Sequence, residues 1–549
     1  MGTGTANAGD VRRCILIPAL KKKAVIPDQL VKKLAGVTLV ERAIQTARGV
    51  VPGEDVIVVT DSQEISLICE RSGVRHHYDA ALNLHTLDIV RGLRPVFLQV
   101  SAGYSHVIIY RASCPLITWV DIDAAWQAFL ASGADGLMTV KRVYQRLFEQ
   151  RQDTLDTLLD DGGGAPVYLE SKSLIMLARE ALERGEARRL MPWVLDDRAV
   201  EINGYQDWWI CERLLARRHV VFVVAGYPAI GMGHIYRALM LAHEITAHRI
   251  TFVCTRESEL AVSSIAERDY RTLRQEHDDL ALDVLTLAPD LVVNDQLNTD
   301  AAYVRALKDG GARVVNFEDE GTGAAVADLV INALYEKRSD DPRCCYGPAY
   351  FCLRDEFASA TRNTFRPEVR TVLVTFGGTD QHDMSRRVLD CIEPLCRERG
   401  ITIRLVSGPG YAHRESMEAR VRALRAQGAQ VEFTHITNVM SRMMEGADLA
   451  VCSAGRTLYE LAHMRVPALV VAQHAREAEH TFGRARNGFA YLGVVGEVSD
   501  AKIRRVFAAM LNTASRQRAF ARQSAFSFAA NKPRVVAQML ALLDQDTRP

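Results

Sequence analysis

The stretch HVVFVVAGYPAIGMGHIYRALMLAHEI, residues 219–245, decides how the second part of the chain folds. Its β-branched run, glycine-rich turn and helically spaced apolar residues predict a strand, a tight turn and a helix. In the turn GMGHIYR, residues 231–237, Gly231 and Gly233 let the backbone bend sharply, and the helix N-terminus favours an anion. His234 at this turn is a candidate to accept a proton from a hydroxyl group or water. The alternative is a turn histidine that is hydrogen-bonded to backbone.

The same order of strand and helix recurs on both sides of that stretch. Short β-rich runs such as CILIPAL, EDVIVVTD and HVIIYRA alternate with helical patterns before it, and a third series starts at VLVTFGGTD. This alternation predicts parallel sheets flanked by helices. We therefore expect an α/β chain with one domain at residues 11–217 and two Rossmann-like domains at residues 219–365 and 366–549.

The composition limits the classes of protein to consider. The chain has 549 residues, and its 67 basic residues balance its 67 acidic ones, which argues against nucleic acid as a partner. The start of the chain lacks the apolar core of a signal peptide, and no apolar run reaches the ~20 residues of a transmembrane segment. The eleven cysteines contain no CxxC pair, so we expect reduced thiols in a cytoplasmic protein without a metal site. A cysteine nucleophile is the alternative.

Two further loops are predicted to face the same cleft as the first, because ligands of such sheets bind at the carboxyl ends of strands. They are FGGTD at residues 376–380 and CSAGRTLYE at residues 452–460. Arg456 and Thr457 offer donors to a diphosphate at a helix start, and Glu460 can accept two ribose hydroxyl groups. The alternatives are plain βα turns and a glutamate favoured by the helix dipole. The candidate ligands of these loops are Gly377, Gly378, Ser453, Ala454, Gly455, Arg456, Thr457 and Glu460.

In chain order, the motifs of the second part read GMGHIYR, PDLVVNDQLNTD, ADLVINALY, YGPAYFCLRDEF, VLVTFGGTD and CSAGRTLYE. They resemble the UDP-sugar hydrolase of pseudaminic acid biosynthesis, which is similar in turn to the glycosyltransferase that completes lipid II. The resemblance implies a two-subdomain GT-B fold. It makes His234 the general base that activates water against the anomeric carbon, with UDP leaving and no cofactor required. Arg456 stands where a smaller residue is common, so the identity of the sugar stays open. Hydrolases and transferases share this architecture, so the choice between them stays open as well.

The same resemblance assigns the binding residues. Glu460 would hold the uridine ribose, residues 453–457 the diphosphate, and Ile436, in THITNVM, the uracil through backbone groups. The segment AQHAREAEH resembles the donor-sugar loop of the transferase, which brings Gln473 and His474 to the sugar. A pair of carboxylates that follows a strand has either a catalytic or a structural role: Asp295 and Asp300.

The first domain contains IPA and LAG at a fixed spacing, VVTDSQEI, SCPLITWVDIDAAW, RQD, GGGAPVYLESKSL and AVEINGYQDWWICERLL. These motifs resemble those of the CMP-sialic acid synthetases and the related spore-coat cytidylyltransferases. The resemblance implies a nucleotidyltransferase-type Rossmann-like fold with a site for CTP, Mg²⁺ and a sugar acid. The residues at that nucleotide and sugar site are Lys21, Lys22, Lys23, Ser113, Arg151, Gln152 and Asp207.

This site departs from the family where the chemistry requires charge. The family's loop arginine is Leu20 here, and its two phosphate-binding glycines are Lys21 and Lys22. Both family lysines are also absent, their places being held by Ala24 and Gln29. Asn203 stands where the family has an aspartate that would bind Mg²⁺, and it carries no charge.

These substitutions predict a domain without ordinary CTP-dependent activation, which serves as a scaffold, a dimerisation surface for a homo-oligomer, or a sensor. The alternative is an active enzyme in which the lysines of the loop supply the charge and Mg²⁺ is needed.

For the whole chain we expect an enzyme of bacterial nonulosonate or surface-glycan biosynthesis. Its second part would hydrolyse a UDP-amino sugar, and its first part would be an inactive or non-standard CMP-sugar synthetase homologue. The alternatives are a GT-B glycosyltransferase with a UDP-sugar donor, a bifunctional enzyme that also makes a CMP-sugar, and a protein that only binds these ligands.

Overall fold

The computed structural model describes residues 11–21, 26–82, 88–143, 147–159, 167–195, 198–227, 232–437 and 439–544. The chain divides into two compact units, Met1–Arg217 and Arg218–Pro549. Among the described residues, no helix has the length and apolar character needed to cross a membrane. All eleven cysteines are free, and burial raises the pKa of the Cys14 thiol to about 12.

The first unit is built around one sheet of seven strands with helices between them. Its strands are β1 (Arg13–Ala19), β2 (Lys33–Leu34), β3 (Val37–Thr38), β4 (Val56–Thr60), β5 (Arg75–Tyr78), β6 (His106–Tyr110), β7 (Gly136–Val143), β8 (Leu147–Arg151), β9 (Thr154–Leu159), β10 (Val167–Ala178) and β11 (Leu190–Val194). Its helices are α1 (Leu39–Arg48), α2 (Gln63–Ser72), α3 (Ile89–Val100), α4 (Trp119–Ser132), α5 (Arg179–Arg184) and α6 (Tyr205–Leu215).

The order of this sheet is β11-β7-β10-β6-β1-β4-β5, and β2–β3 and β8–β9 form separate two-stranded ribbons. The strands β1, β4, β5 and β6 run parallel, whereas β10 is antiparallel to both of its neighbours. The alternation of strands and helices did not predict this reversal, because it does not encode strand direction. Thr38 and Thr118 begin α1 and α4 with capping boxes, which satisfy backbone N–H groups at both helix starts.

The second unit contains two parallel sheets. The first sheet and its helices comprise β12 (His219–Val224), α7 (Gly233–Glu244), β13 (Arg249–Cys254), α8 (Glu259–Ala266), β14 (Thr272–Arg274), α9 (Leu280–Leu285), β15 (Leu291–Asp295), α10 (Ala301–Asp309), β16 (Arg313–Phe317), β17 (Leu329–Asn332) and β18 (Cys344–Tyr346). The strand order is β14-β13-β12-β15-β16-β17-β18. We call this part the first subdomain.

The second sheet follows after residue 370, and we call this part the second subdomain. It comprises β19 (Thr371–Thr375), α11 (Met384–Glu398), β20 (Thr402–Ser407), α12 (Arg414–Ala426), β21 (Val431–His435), α13 (Met440–Met444), β22 (Leu449–Cys452), α14 (Thr457–Met464), β23 (Ala468–Ala472), α15 (Ala475–Ala478), β24 (Phe489–Val494), α16 (Asp500–Met510), α17 (Thr513–Gln523) and α18 (Asn531–Asp544). The strand order is β21-β20-β19-β22-β23-β24. The expected fold class, an α/β domain followed by two Rossmann-like sheets, is confirmed.

The end of the chain corrects one expected boundary. The sequence assigned residues 366–549 to a single domain, but α18 packs on the core of the first subdomain. Val535, Met539 and their apolar neighbours on this helix join the buried cluster that contains Val220 and Ile235. The apolar face of α18 needs a partner surface, and periodicity alone does not reveal which sheet supplies it. Residues 344–346, which show no clear periodicity in the sequence, add β18 to the edge of the first sheet.

Candidate functional site

A cleft of about 520 Å³ lies at the carboxyl ends of the strands of both sheets in the second unit. The structure brings most of the sequence-predicted residues together there. Those that line the cleft are Gly233, His234, Gly377, Gly378, Ile436, Ser453, Gly455, Arg456, Thr457, Glu460, Gln473 and His474. Ala454 is buried beside them, and Gly231 lies outside the described residues. Their roles toward a ligand stay predictions.

His234 is positioned by the start of α7 and by the neighbouring strand β15. The strands β12 and β15 pair in parallel, with Val224 beside Asp295, so the end of β15 lies under the turn that follows β12. Nδ1 of His234 is 2.6 Å from Oδ1 of Asp295. A carboxylate at that distance fixes the proton on Nδ1 and leaves Nε2 as an acceptor, which is the form that a general base requires.

Asp295 is fully buried and is held by Arg237, one turn after His234 on α7. The Arg237 guanidinium donates from Nε to Oδ2 at 2.7 Å and from Nη2 to Oδ1 at 2.6 Å. Burial alone would raise the pKa of Asp295, but the charges and hydrogen bonds of Arg237 and His234 together outweigh it and hold the pKa below the usual value. Asp300, the other member of the predicted pair, accepts N–H groups at the start of α10 and has a structural role.

Arg456 lies at the start of α14 and reaches across to the first subdomain. Its Nη2 donates to the carbonyl oxygen of Cys352 at 3.1 Å, and its guanidinium lies 4.7 Å from the centre of the Phe351 ring. Among the described residues it forms no ion pair with a carboxylate. Burial, together with repulsion from Arg237, lowers its pKa to about 10. A Cβ at position 233 would lie 3.2 Å from Cδ of Arg456, so a larger residue there would require a small shift of the arginine side chain.

Glu460, the predicted ribose ligand, is held in an ion pair. Nε of Arg354 donates to its Oε1 at 2.8 Å, and Arg354 also contacts Glu356. The carboxylate of Glu356 accepts the N–H of Ser441 at the loop that follows the predicted uracil residue. That residue, Ile436, has a left-handed backbone with φ of 61°, and its N–H donates to Ser407. Because its N–H is engaged, we expect its carbonyl group to be the backbone group that contacts a base.

A glutamate that the sequence prediction missed joins the two loops of the second subdomain. Glu477 accepts the N–H of Gln473 at 2.8 Å and that of Ala454 at 3.3 Å. Nδ1 of His474 in turn accepts the N–H of Glu477, which caps α15. Gln473 turns its amide nitrogen to the carbonyl oxygen of Phe376. Glu477 thus joins the loop that contains Ala454 to the loop that contains Gln473.

Other lining residues were also missed for different reasons. Arg237 follows His234 at helical spacing within the quoted motif, so its position on the same helix face could have been predicted. Arg354 belongs to a segment without periodicity, and Glu318 follows a strand in a left-handed conformation with φ of 51°. No pattern in a single sequence identifies such a glutamate.

In the first unit, the lysine of the expected nucleotide loop is paired within the protein. Nζ of Lys21 lies 2.7 Å from Glu64 and 3.0 Å from Asp28, and its backbone N–H donates to Asp61. Lys22 and Lys23 lie outside the described residues. Lys21 is one of the loop lysines that an active enzyme would use to bind phosphate. Its charge is paired here with two carboxylates of the protein itself.

The remaining residues of that site are also engaged by the protein. Ser113 and Arg111 both contact Glu201, at 3.4 Å and 3.0 Å. Gln152 has a left-handed backbone between β8 and β9, and the side chain of Arg151 lies outside the described residues. In the described part of the chain, no group of three His, Cys, Asp or Glu side chains is arranged to hold a metal.

The place of the expected metal carboxylate does not fit Mg²⁺. Asn203 carries no charge, and its N–H donates to Asp207 at 2.8 Å, so the one remaining carboxylate is used by the backbone. Gln29, in the place of a family lysine, donates to the carbonyl oxygen of Ile202. We derive no step through Mg²⁺ at this site.

Comparisons with known proteins bear on the second unit above all. An uncharacterized protein of Methanocaldococcus jannaschii, MJ1062, is 24% identical over 277 residues, which are 47% of this chain and 57% of that protein. The spore coat polysaccharide biosynthesis protein SpsG of Bacillus subtilis is 28% identical over 278 residues, 48% of this chain and 80% of that protein. The chain thus spans little more than half the length of the first of these relatives.

Two solved structures are similar to separate parts of the chain. MurG of Acinetobacter baumannii has 15% identity and a TM-score of 0.45, covering 59% of this chain and 99% of that one. The CMP:2-keto-3-deoxy-manno-octonic acid synthetase complexed with CTP has 13% identity and a TM-score of 0.30, covering 37% of this chain and 98% of that one. The family model of the glycosyltransferase family 28 C-terminal domain matches residues 371–534. The similarity to this family therefore lies within the second unit.

Proposed function

We propose that the second unit cleaves a UDP-amino sugar by hydrolysis and releases UDP. One observation carries this proposal: in a cleft lined by the predicted nucleotide-sugar residues, a carboxylate lies 2.6 Å from Nδ1 of His234. This arrangement leaves Nε2 of His234 able to take a proton.

The reaction follows from that geometry. Nε2 of His234 removes a proton from water while the water oxygen forms a bond with the anomeric carbon. The bond between the anomeric carbon and the diphosphate oxygen breaks, and its electron pair leaves with UDP. Asp295 stabilises the imidazolium that results, and Arg456 lies where it can offset the charge that develops on the diphosphate. The sugar leaves with the hydroxyl group that came from water.

The nucleoside is proposed to bind in the second subdomain. Glu460 accepts the ribose hydroxyl groups while Arg354 holds its other oxygen, and the backbone of Ile436 contacts uracil. Gln473 and His474 lie beside the sugar. The similarity to SpsG, a spore coat polysaccharide biosynthesis protein, supports a place in bacterial surface-glycan synthesis. Within that class, we propose the nonulosonate branch, as in pseudaminic acid formation, on the basis of the motifs.

Glycosyl transfer is the second candidate, and the match to the glycosyltransferase family 28 C-terminal domain favours it. In that reaction His234 would deprotonate an acceptor hydroxyl group in place of water. An apolar, basic rim on the first subdomain would suit a lipid acceptor. Among the described residues of that subdomain, the large apolar side chain exposed by more than a third is Leu282.

The test is UDP release by the full chain from a panel of UDP-sugars, with and without acceptors. Hydrolysis predicts release without an acceptor, and His234→Ala should slow it by about 10²–10⁴-fold. A matched control is His277→Ala, since His277 is exposed and lies outside the cleft. Release that needs an acceptor would support the transferase. Release that His234→Ala leaves unchanged would refute the mechanism.

For the first unit we propose a role other than ordinary CTP-dependent activation. The pairing of Lys21 with two carboxylates and the neutral Asn203 support this proposal. The alternative is a reshaped cytidylyltransferase that requires Mg²⁺. The full chain with CTP, Mg²⁺ and sugar acids should release no pyrophosphate, and calorimetry should detect no tight CTP binding. Pyrophosphate release would overturn the proposal.

A further inference from the structure

Glu318 is a buried, strained acid on the floor of the cleft that the mechanism above does not use. It follows β16 with φ of 51°, a conformation that non-glycine residues rarely adopt. Its side chain is 4% exposed and accepts a hydrogen bond from Nη1 of Arg237 at 2.9 Å. Strain of this kind persists only where the surroundings over-determine it, and it is concentrated at functional sites.

The surroundings of Glu318 fix it from several directions. Its N–H donates to the carbonyl oxygen of Ile331, and its second carboxylate oxygen lies 3.4 Å from the N–H of Leu334. Its own carbonyl oxygen accepts from Nη2 of Arg476 at 2.7 Å. Arg476 belongs to α15 in the second subdomain, so the loop expected at the sugar contacts the same residue that holds Arg237.

These contacts complete a continuous row of charges. Glu318 binds Nη1 of Arg237, whose Nε and Nη2 bind Asp295, and Asp295 binds His234. With both ends of its guanidinium engaged, Arg237 cannot rotate away from Asp295. The position of Asp295 in turn decides which nitrogen of His234 carries the proton.

We propose that Glu318 is a positioning residue for the base, which acts through Arg237 to hold Asp295 on Nδ1 of His234 and so keeps Nε2 free. This inference rests on the proposed function, in which His234 removes a proton. Removing the charge of Glu318 releases Nη1 of Arg237, so that the guanidinium holds Asp295 less firmly and Asp295 stabilises the imidazolium of His234 less.

The charged groups around this row come from four elements. Asp295 ends β15, Arg237 lies on α7 and Arg456 begins α14. Arg476, on α15, contacts Glu318 at its backbone carbonyl oxygen. Burial raises the pKa of Glu318, and the charges of Arg237 and Arg456 oppose that shift. Loss of the Glu318 charge therefore acts on His234 through Arg237 and Asp295.

The experiment compares Glu318→Gln, which keeps the shape but loses the charge, with the control Glu320→Gln in the same loop. Glu320 pairs with Arg338 and lies outside the row. We expect Glu318→Gln to lower kcat/KM for UDP release about 10- to 100-fold and to move the acidic limb of its pH profile to lower pH. Affinity for UDP should stay unchanged, and Glu318→Asp should recover part of the loss. Glu320→Gln should behave as the wild type.

A second readout does not depend on turnover. Nitrogen-15 NMR of the His234 ring in the full chain should show the proton on Nδ1 in the wild type and a mixture of tautomers in Glu318→Gln. An unchanged tautomer together with an unchanged pH profile would overturn the inference. A fall in UDP affinity that matches the fall in kcat/KM would also overturn it, because it would show a role in binding. A wild type that releases no UDP would refute the proposed function, while the NMR result would still judge Glu318.

Discussion

The nucleotide loop of the first unit and the cleft of the second unit treat their cations in opposite ways. Lys21 is paired with Glu64 and Asp28. Among the residues that the structure describes, Arg456 contacts a carbonyl oxygen and an aromatic face and no carboxylate. A buried cation without a carboxylate is costly unless a ligand supplies the charge. Whether a basic residue is paired with a carboxylate is therefore more informative about anion binding than its presence in the sequence.

The largest expected effect concerns Asp295, the carboxylate that contacts His234 in the cleft. Asp295→Asn should lower the rate of UDP release by about 10²–10⁴-fold, because an amide can donate to Nδ1 of His234 and so place the proton on Nε2. Initial rates and calorimetric UDP affinity measure this, and affinity should change little. Asp300→Asn is the control, since Asp300 caps α10. If Asp295→Asn releases UDP at the wild-type rate, Asp295 does not activate His234 as a base. The proposed contrast between the cleft and the first unit would then fail.

The next effect is a pH dependence of the stability of the second unit. Burial lowers the pKa of His480 to about 4, below the value of about 6.5 for an unfolded chain. Between these values the unfolded state binds more protons, so stability is lost as the pH falls. The loss approaches about 3 kcal/mol at pH 4.

This prediction is measured by hydrogen exchange in β22 and β23 at pH 7 and pH 5. His480→Gln should reduce the pH dependence there, whereas His382→Gln, at an exposed histidine, should retain it. An equal pH response in His480→Gln and the wild type would contradict the assignment.

A smaller effect tests the unpaired arginine directly. Arg456→Ala should weaken UDP binding by about 1.5–3 kcal/mol, the usual contribution of hydrogen bonds to a charged group, and should leave uridine binding unchanged. Calorimetry with both ligands measures this. Arg442→Ala, at an exposed arginine of α13, is the matched control. If UDP and uridine lose affinity equally, Arg456 does not bind the diphosphate and the contrast with Lys21 loses its meaning.

The smallest effects should be alike in the two units. Asp300→Ala and Thr118→Ala each remove a helix cap, and each should cost about 1 kcal/mol of stability. Urea unfolding would be followed by tryptophan fluorescence for Thr118→Ala and by hydrogen exchange in α10 for Asp300→Ala. UDP release at 25 °C should stay at the wild-type rate. A large loss of activity in Asp300→Ala would reopen a catalytic role for that carboxylate.

Much of the fold could be predicted because local patterns encode it. The runs at residues 219–224 and 371–375 are buried on both faces of parallel sheets, so they appear in the sequence as continuous apolar strands. The direction of β10 and the docking of α18 could not be predicted. Both depend on which surface a segment meets, and its own residues do not record that partner.

The candidate site divides in the same way. Glycines and small residues at strand ends identified the three loops, because the backbone of such turns restricts residue type. Glu477, Arg354 and Glu318 line the same cleft but were missed. Each acquires its place from a contact with a residue of another element, such as the N–H of Ala454 for Glu477.

The sequence by itself determined the alternation of strands and helices and the three glycine-containing loops. It also determined that the phosphate-binding residues of the family are absent from the first unit. Each of these is a local property of neighbouring residues. Only the tertiary structure decided that Asp295 meets His234, that Glu318 meets Arg237, and that Arg456 has no carboxylate partner in the described chain. The physical reason is the sheet order: β15 pairs with β12 and with β16, which brings together side chains that are 61 and 81 residues apart.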